Sequence, residues 1–229
     1  MPDLKARHQN RKHILALDAM GGDNAPYSVL AGAALFAKTN QNVDFLFFGD
    51  SAKLTPIFNK FPILANRATI EHTEDFIAAE EKPSTALRRG KKSSMRLAIE
   101  AVKEGKADAV VSAGNTGALM IMSKLILKTL DGIDRPAIGT IIPTKIGSSL
   151  LLDMGANSAC DAENLVQFSI MGDAFAKAAL AKESPSIGLL NIGSEELKGH
   201  ETVRVANQII SEEYTNLNYH GYVEGDDIM

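Results

Sequence analysis

The sequence predicts an α/β fold built on a mostly parallel sheet, and three observations carry that prediction. Apolar runs of strand length alternate with longer segments of helical period between residues 14 and 224, the pattern left by βαβ units. Several strand runs end in a loop that joins glycine to Asp, Asn, Ser or Thr. The balance of 45% apolar and 23% charged residues in 229 is that of a globular protein with a sizeable core.

Taken in chain order, strands are expected at 14–18, 43–48, 69–72, 109–112, 137–142, 150–153, 186–190 and 219–224. Helices fill most gaps, the clearest at 164–181 and 201–213. The first of these carries Leu165, Phe168, Met171, Phe175 and Leu180 as an apolar stripe for a core or a subunit interface. Residues 73–90 are polar and expected to be mobile. Residues 140–149, with Pro143 and Gly147, read as a hairpin or crossing segment. Residues 1–12 are polar and basic, a disordered start and not a secretory signal, and 13–229 is expected to form a single domain.

Composition excludes several functions. The net charge of −4 argues against a general nucleic-acid binder. A single cysteine, Cys160, rules out an internal disulfide and fits a reducing compartment. Apolar stretches break before the ~20 residues needed to span a bilayer, so the cytoplasm is the expected location. There is no G-x-G-x-x-G, no G-x-x-x-x-G-K-[ST] and no G-x-S-x-G, and the five histidines show no metal spacing.

Ligands of open α/β sheets bind beyond the carboxyl ends of the strands, where loops lead into helix N-termini with free N–H groups. Five such exits carry glycine here. They are Asp18 to Asp23 with Gly21 and Gly22, Ser112 to Gly117 with Gly114, Asn115 and Thr116, Asp153 to Asn157 with Gly155, Asn191 to Glu196 with Gly193, and Glu224 to Asp227 with Gly225. Each alone reads equally as a turn with a helix cap. A basic cluster of Arg88, Arg89, Lys91, Lys92 and Arg96 surrounds Ser93 and Ser94. It is either a solvated face or a phosphate grip combined with a positive edge for an acidic protein. Lys198 follows one of the glycine loops and joins that argument. Cys160, just before a helix, is either packing or an acyl-accepting thiolate.

The residues also carry a resemblance. ALDAMGGDNAP at 16–26, KPSTALRRGKKSSMR at 82–96, SAGNTGAL at 112–119, LLDMGANSACDAENLVQFSIMG at 151–172 and NIGSEELKG at 191–199 occur in one order. On these motifs the chain resembles the bacterial acyl-carrier-protein:phosphate acyltransferases of phospholipid synthesis. The resemblance implies a three-layer α/β/α sandwich like that of phosphotransacetylases and isopropylmalate dehydrogenases. It further implies a homodimer with no cofactor and no metal or nucleotide, acyl carrier protein as donor and inorganic phosphate as acceptor. It implies peripheral attachment to the inner face of the membrane through a region toward the C-terminus, and a family length that runs well past Met229, so a C-terminally truncated domain is expected.

The expected chemistry is direct attack by phosphate on the thioester. The amides of Gly114 to Gly117, with Lys198 and Lys91 or Lys92, are expected to hold phosphate, and Asn115 or Asn157 to stabilise the oxyanion. Asp18 and Asp23 are expected to order the loop, Asp153, Gly155, Asn191, Gly193 and Glu196 to line the substrate, and Arg88, Arg89 and Arg96 to meet the carrier protein. A coenzyme A-dependent enzyme and a non-catalytic remnant that dimerises or binds carrier protein are the alternatives.

Overall fold

A computed structural model describes residues 12–145, 147–157, 159–193 and 199–228. The expected disordered start lies outside them except for Lys12, whose ammonium meets the Asp44 carboxylate at 3.0 Å. The chain divides into two compact units, Met1–Lys128 and Thr129–Met229.

In the first unit β1 (His13–Asp18), β2 (Val43–Gly49), β3 (Ala68–His72) and β4 (Ala109–Val111) pair in parallel in the order β3-β2-β1-β4. Helix α1 (Tyr27–Thr39) links β1 to β2 and α2 (Ser51–Phe58) links β2 to β3. Helices α3 (Pro83–Arg89) and α4 (Ser94–Lys103) precede β4, and α5 (Thr116–Leu127) follows it. Side chains alternate across a strand. Thus Leu15, Leu17, Phe45 and Phe47 pack with α1 and α2, while Ile14, Ala16, Leu46 and Phe48 pack with Ala98 and Ala101 of α4. A sheet covered on both faces reads as continuous apolar runs, which is why residues 45–48 are Phe-Leu-Phe-Phe. The result is the expected three layers.

From β1 the chain moves outward through β2 to β3 and then returns to β4 on the other side of β1. The order therefore reverses between β1 and β4. A crevice forms at such a switch point, because the two connections leave on opposite faces.

Residues 73–90 correct the expectation of a mobile segment. Ile77 is buried with Ala86, Met95 and Met122, Thr73 Oγ donates to the Lys92 carbonyl at 2.6 Å, and Pro83 opens α3, where its missing N–H costs nothing.

In the second unit β5 (Gly139–Thr144) and β6 (Gly147–Leu152) form the expected hairpin. Strands β7 (Ile187–Leu190) and β8 (Tyr219–Val223) pair in parallel. Helices α6 (Ala162–Ala179) and α7 (Glu201–Glu213) pack against β7 and β8 through Val166, Leu189, Ala206 and Ile210. A capping box starts α6: Asp161 accepts from Asn164 N at 2.8 Å, and Asn164 Oδ1 accepts from Asp161 N at 3.3 Å. The buried face of α6 matches the expected stripe in part, at Phe168 and at Leu165, which packs against the core. Val166 and Phe168 are buried, as is Gln167, whose amide pairs with Asp134 at 2.9 Å. Phe175 is 46% exposed, so it is left to the interface alternative. Among the described residues the strands form one four-stranded sheet and two two-stranded ladders, and no helix is long and apolar enough to cross a membrane.

Candidate active site

The switch point is where two of the glycine loops meet. Asp18, the last residue of β1, is 2% exposed. Its Oδ1 accepts from Ser94 Oγ at 2.5 Å and from Met20 N at 3.3 Å, and its Oδ2 accepts from Ser112 Oγ at 2.7 Å. Ser112 Oγ in turn accepts from Gly114 N at 3.1 Å. One carboxylate thus ties the exit of β1 to the start of α4 and the exit of β4. The apposition is close enough to need glycine: a Cβ on Gly21 would sit 2.4 Å from Asp18 Oδ2, 2.9 Å from Ser112 Oγ and 3.0 Å from Gly114 N. Gly22 beside it has φ +102° and faces Ala113, a conformation side chains resist.

Asn115 caps α5. Its Oδ1 accepts from Ala118 N at 2.9 Å, and its Nδ2 donates to the carbonyls of Ala79 at 2.9 Å and Glu81 at 2.8 Å. The amide thereby pins residues 78–81 beside the loop. It has no proton left over for an oxyanion, so in this conformation Asn115 positions the loop instead of donating. Gly114 N–H is likewise engaged by Ser112. What remains at the N-terminus of this twelve-residue helix is the N–H of Thr116 and of Gly117, neither with a partner among the described residues. Pro83 closes over Gly117, within 2.8 Å of where a Cβ would be.

Asn115→Asp would keep the cap and turn an oxygen toward the two carbonyls. It should cost about 1–3 kcal/mol, read as a lower thermal midpoint, and Asn115→Ala should cost the cap in addition.

The basic cluster divides. Arg96 is half-buried and its guanidinium pairs with Glu100 at 2.8 Å, so it belongs to the surface of α4. Arg88 and Arg89 are exposed in the last turn of α3, where cations complement the helix dipole. Lys91 and Lys92 are exposed in the following turn, with no ion-pair partner among the described residues. Asp23 is exposed beyond Gly22.

In the second unit Asp153, just after β6, organises its own loop. It accepts from Ile138 N at 3.0 Å, Ala156 N at 3.1 Å, Asn157 N at 2.9 Å and Asn157 Nδ2 at 2.9 Å. Asn157 Nδ2 also donates to the Pro136 carbonyl at 3.0 Å. Both amide protons are then committed, so Asn157 in this conformation braces the loop and does not offer an oxyanion donor. Gly155 turns it with φ +86°. Asn191 Nδ2 donates to the Gly193 carbonyl at 2.9 Å, closing the exit of β7. Lys198 and Glu196 lie outside the described residues.

Burial pushes the Asp153 carboxyl up, but the N–H bonds from Ile138, Asn157 and Ala156 outweigh it and hold it below its ordinary 3.8. The folded state therefore favours the carboxylate. Its contribution to stability is whole above 3.8 and is lost as pH falls through the lowered folded value. Asp153→Asn should be less stable than the parent by about 1–3 kcal/mol at neutral pH, and acid titration of both should show the difference closing below 3.8.

Burial, with Asp153 and Asp161 adding to it against Arg135, pushes the Cys160 thiol up. A thiolate nucleophile needs the opposite. Cys160→Ser should turn over at close to the parent rate, and a rate near zero would restore the acyl-cysteine reading.

Sequence reading missed the two hydroxyls that hold Asp18. Ser94 had been seen only as part of a basic run and Ser112 only as the start of a loop. Their signal is positional, since each stands where a neighbouring element begins or ends beside β1.

Two phosphotransacetylases share this fold. A phosphotransacetylase from Streptococcus pyogenes superposes with a TM-score of 0.70 over 94% of this chain and 69% of its own, at 17% identity. The EutD phosphotransacetylase of Staphylococcus aureus gives 0.60 over 93% and 69%, at 20% identity. These likenesses establish the fold class.

The family follows from sequence: residues 14–229 match the family described as fatty acid synthesis protein, and the chain belongs to it. Among relatives named phosphate acyltransferase, that of Rhodospirillum centenum is 52% identical over 96% of this chain and 62% of its own length. That of Rhodospirillum rubrum is 49% identical over 94% and 62%. The chain spans about three fifths of the length of these relatives.

Proposed function

We propose that this chain belongs to a phosphate acyltransferase that converts fatty acyl-[acyl-carrier-protein] and inorganic phosphate to acyl phosphate and free carrier protein. A phosphate oxygen attacks the thioester carbonyl carbon, the C–O bond forms as the C–S bond breaks, and the carrier's thiolate leaves and takes up a proton. Thiolate is a good leaving group, so the protein's task is to place phosphate and stabilise charge. The observation that carries the reading is the pair of N–H groups of Thr116 and Gly117 at the N-terminus of α5, without a partner among the described residues, at the switch point, in a chain about half identical to proteins of that name.

In this reading Thr116 and Gly117 hold the phosphate with Lys91 or Lys92 and Lys198, each charged bond contributing about 1.5–3 kcal/mol. Asp18 and Asn115 position the loop, with Gly21, Gly22 and Gly114 allowing its approach. Asp153, Gly155, Asn157, Asn191 and Gly193 shape the loops of the second unit, Glu196 lines the substrate, and both units serve one acyltransferase domain. Arg88 and Arg89 offer cations to the acidic carrier protein. The enzyme works as a homodimer in the cytoplasm at the inner face of the membrane.

Mixing the chain with long-chain acyl-[carrier protein] and phosphate tests this. Phosphate-dependent release of free carrier protein is expected, matched by acyl phosphate trapped with hydroxylamine. Release from the coenzyme A thioester alone would assign the coenzyme A-dependent reaction, and release from neither would leave a protein that binds without turning over.

A further inference from the structure

The two lysines of the turn between α3 and α4 are exposed, yet the main chain beneath them is tied down on both sides. Ser93 is fully buried, and its Oγ and N both donate to the Gly90 carbonyl, at 2.8 and 3.1 Å, closing the turn that carries Lys91 and Lys92. The Lys92 carbonyl is met by the hydroxyl of Thr73, which donates to it at 2.6 Å. Thr73 stands just past the end of β3 and is buried, and its own N donates to the Gly49 carbonyl at the exit of β2 at 3.0 Å.

The same hydroxyl oxygen accepts from Asp75 N at 3.3 Å, and the Asp75 carbonyl accepts from Ser94 N at 2.9 Å. Three hydrogen bonds thus close a ring through Thr73, Asp75, Ser94 and Lys92. Ser94 Oγ carries the ring on to Asp18, and Asp18 leads through Ser112 to Gly114 N. The lysine turn is therefore anchored at the exits of β3 and β1, and the second anchor is the carboxylate that shapes the loop before α5.

A turn that only presents charge to solvent needs no such ring. A lysine that must return its ammonium to one spot has a flexible four-carbon stem to order, and a fixed base removes the main-chain share of that freedom. A held carbonyl fixes the peptide plane that follows Lys92, and with it the direction in which its Cβ leaves. No such tie holds Lys91 among the described residues.

We propose that Thr73 is a positioning residue for phosphate, holding the base of Lys92 so that this lysine, and not Lys91, is the cation that meets the anion. This rests on the function proposed above and narrows its phosphate grip to one of two lysines. Thr73 touches neither substrate and acts through Lys92.

Binding of inorganic phosphate, followed by titration calorimetry, tests the role without any turnover. Thr73→Val removes the hydroxyl at nearly equal size and should weaken phosphate about tenfold, the loss of one charge-assisted bond. Thr73→Ser keeps the donor and should bind as the parent does. Lys92→Ala should weaken phosphate at least as much and Lys91→Ala by about twofold or less, and Thr73→Val in the Lys92→Ala background should add no further loss. In the carrier-protein release assay Thr73→Val should raise KM for phosphate about tenfold, with kcat and KM for the acyl donor within about twofold of the parent. A lower thermal midpoint in Thr73→Val with phosphate affinity unchanged would overturn the proposal and leave Thr73 as a brace for the turn. Unchanged affinity in Lys92→Ala, an exposed substitution that does not depend on how Thr73→Val folds, would overturn it as well, as would a parent chain that binds no phosphate. Weakened binding in both variants without phosphate-dependent release by the parent would uphold the positioning role and sink the proposed reaction.

Discussion

On the function proposed above, replacing Gly21 with alanine should lower the rate of acyl phosphate formation about a hundredfold, the scale on which a 1 Å misplacement of a positioned group acts. The added carbon would lie 2.4 Å from Asp18 Oδ2 and 3.0 Å from Gly114 N, inside contact distance of a side chain and of backbone. Neither can step aside, because Asp18 is buried between two serines and Gly114 is bonded to one of them. The loop after β4 would be pushed off the loop after β1, moving Thr116 and Gly117 with it. Overpacking should also cost about 1–3 kcal/mol. Gly32→Ala is the control: its Cβ would meet nothing within 4 Å on the outer side of α1, so activity should persist and stability rise by about 0.5–1 kcal/mol. Equal rates for the parent and the Gly21 variant would remove the switch point from the chemistry.

Asp18→Ala is expected to have the largest effect on folding. It would strand two hydroxyls and an N–H that now reach the carboxylate, each left unpaired at about 1–3 kcal/mol. A total near 3 kcal/mol or more corresponds to about 6–12 °C in the thermal midpoint. Asp18→Asn keeps one acceptor oxygen, and a serine hydroxyl can rotate to accept from its NH2, so it should fall between. Ser112→Ala in the Asp18→Ala background should cost less than in the parent, because its partner is already gone. Additive losses would mean that the three groups do not act as a unit.

Much of the architecture was readable from local pattern. The run Val43 to Phe48 reads as a strand, and it lies in the sheet between β1 and β3. Pro143 and Gly147 marked the hairpin. The segment from Thr73 to Gly90 was misread because its polarity hides one anchor, Ile77, which packs against Ala86 and Met95. Burial of a single side chain is set by what faces it, and composition does not carry that. The stripe of α6 was legible in part, at Leu165 and Phe168, but not that Gln167 is buried beside them, because Asp134 meets its amide across 33 residues.

The candidate site shows the same division. Glycine-rich exits near Asp18 and Asn115 were legible because turns and caps are local chemistry. Their joining was not, since the bonds that join them, Ser94 and Ser112 to Asp18, span 76 and 94 residues. Nor could the sequence say that Asn115 and Asn157 have their amide protons committed to backbone carbonyls and a carboxylate.

By itself the sequence determined the element types, the α/β class and the family motifs, because these depend on periodicity and on residues a few positions apart. Only the tertiary structure decided which strand exits adjoin and which N–H groups lack a partner among the described residues. A hydrogen bond has one partner at one distance, and which group arrives there is settled by the path of the whole chain.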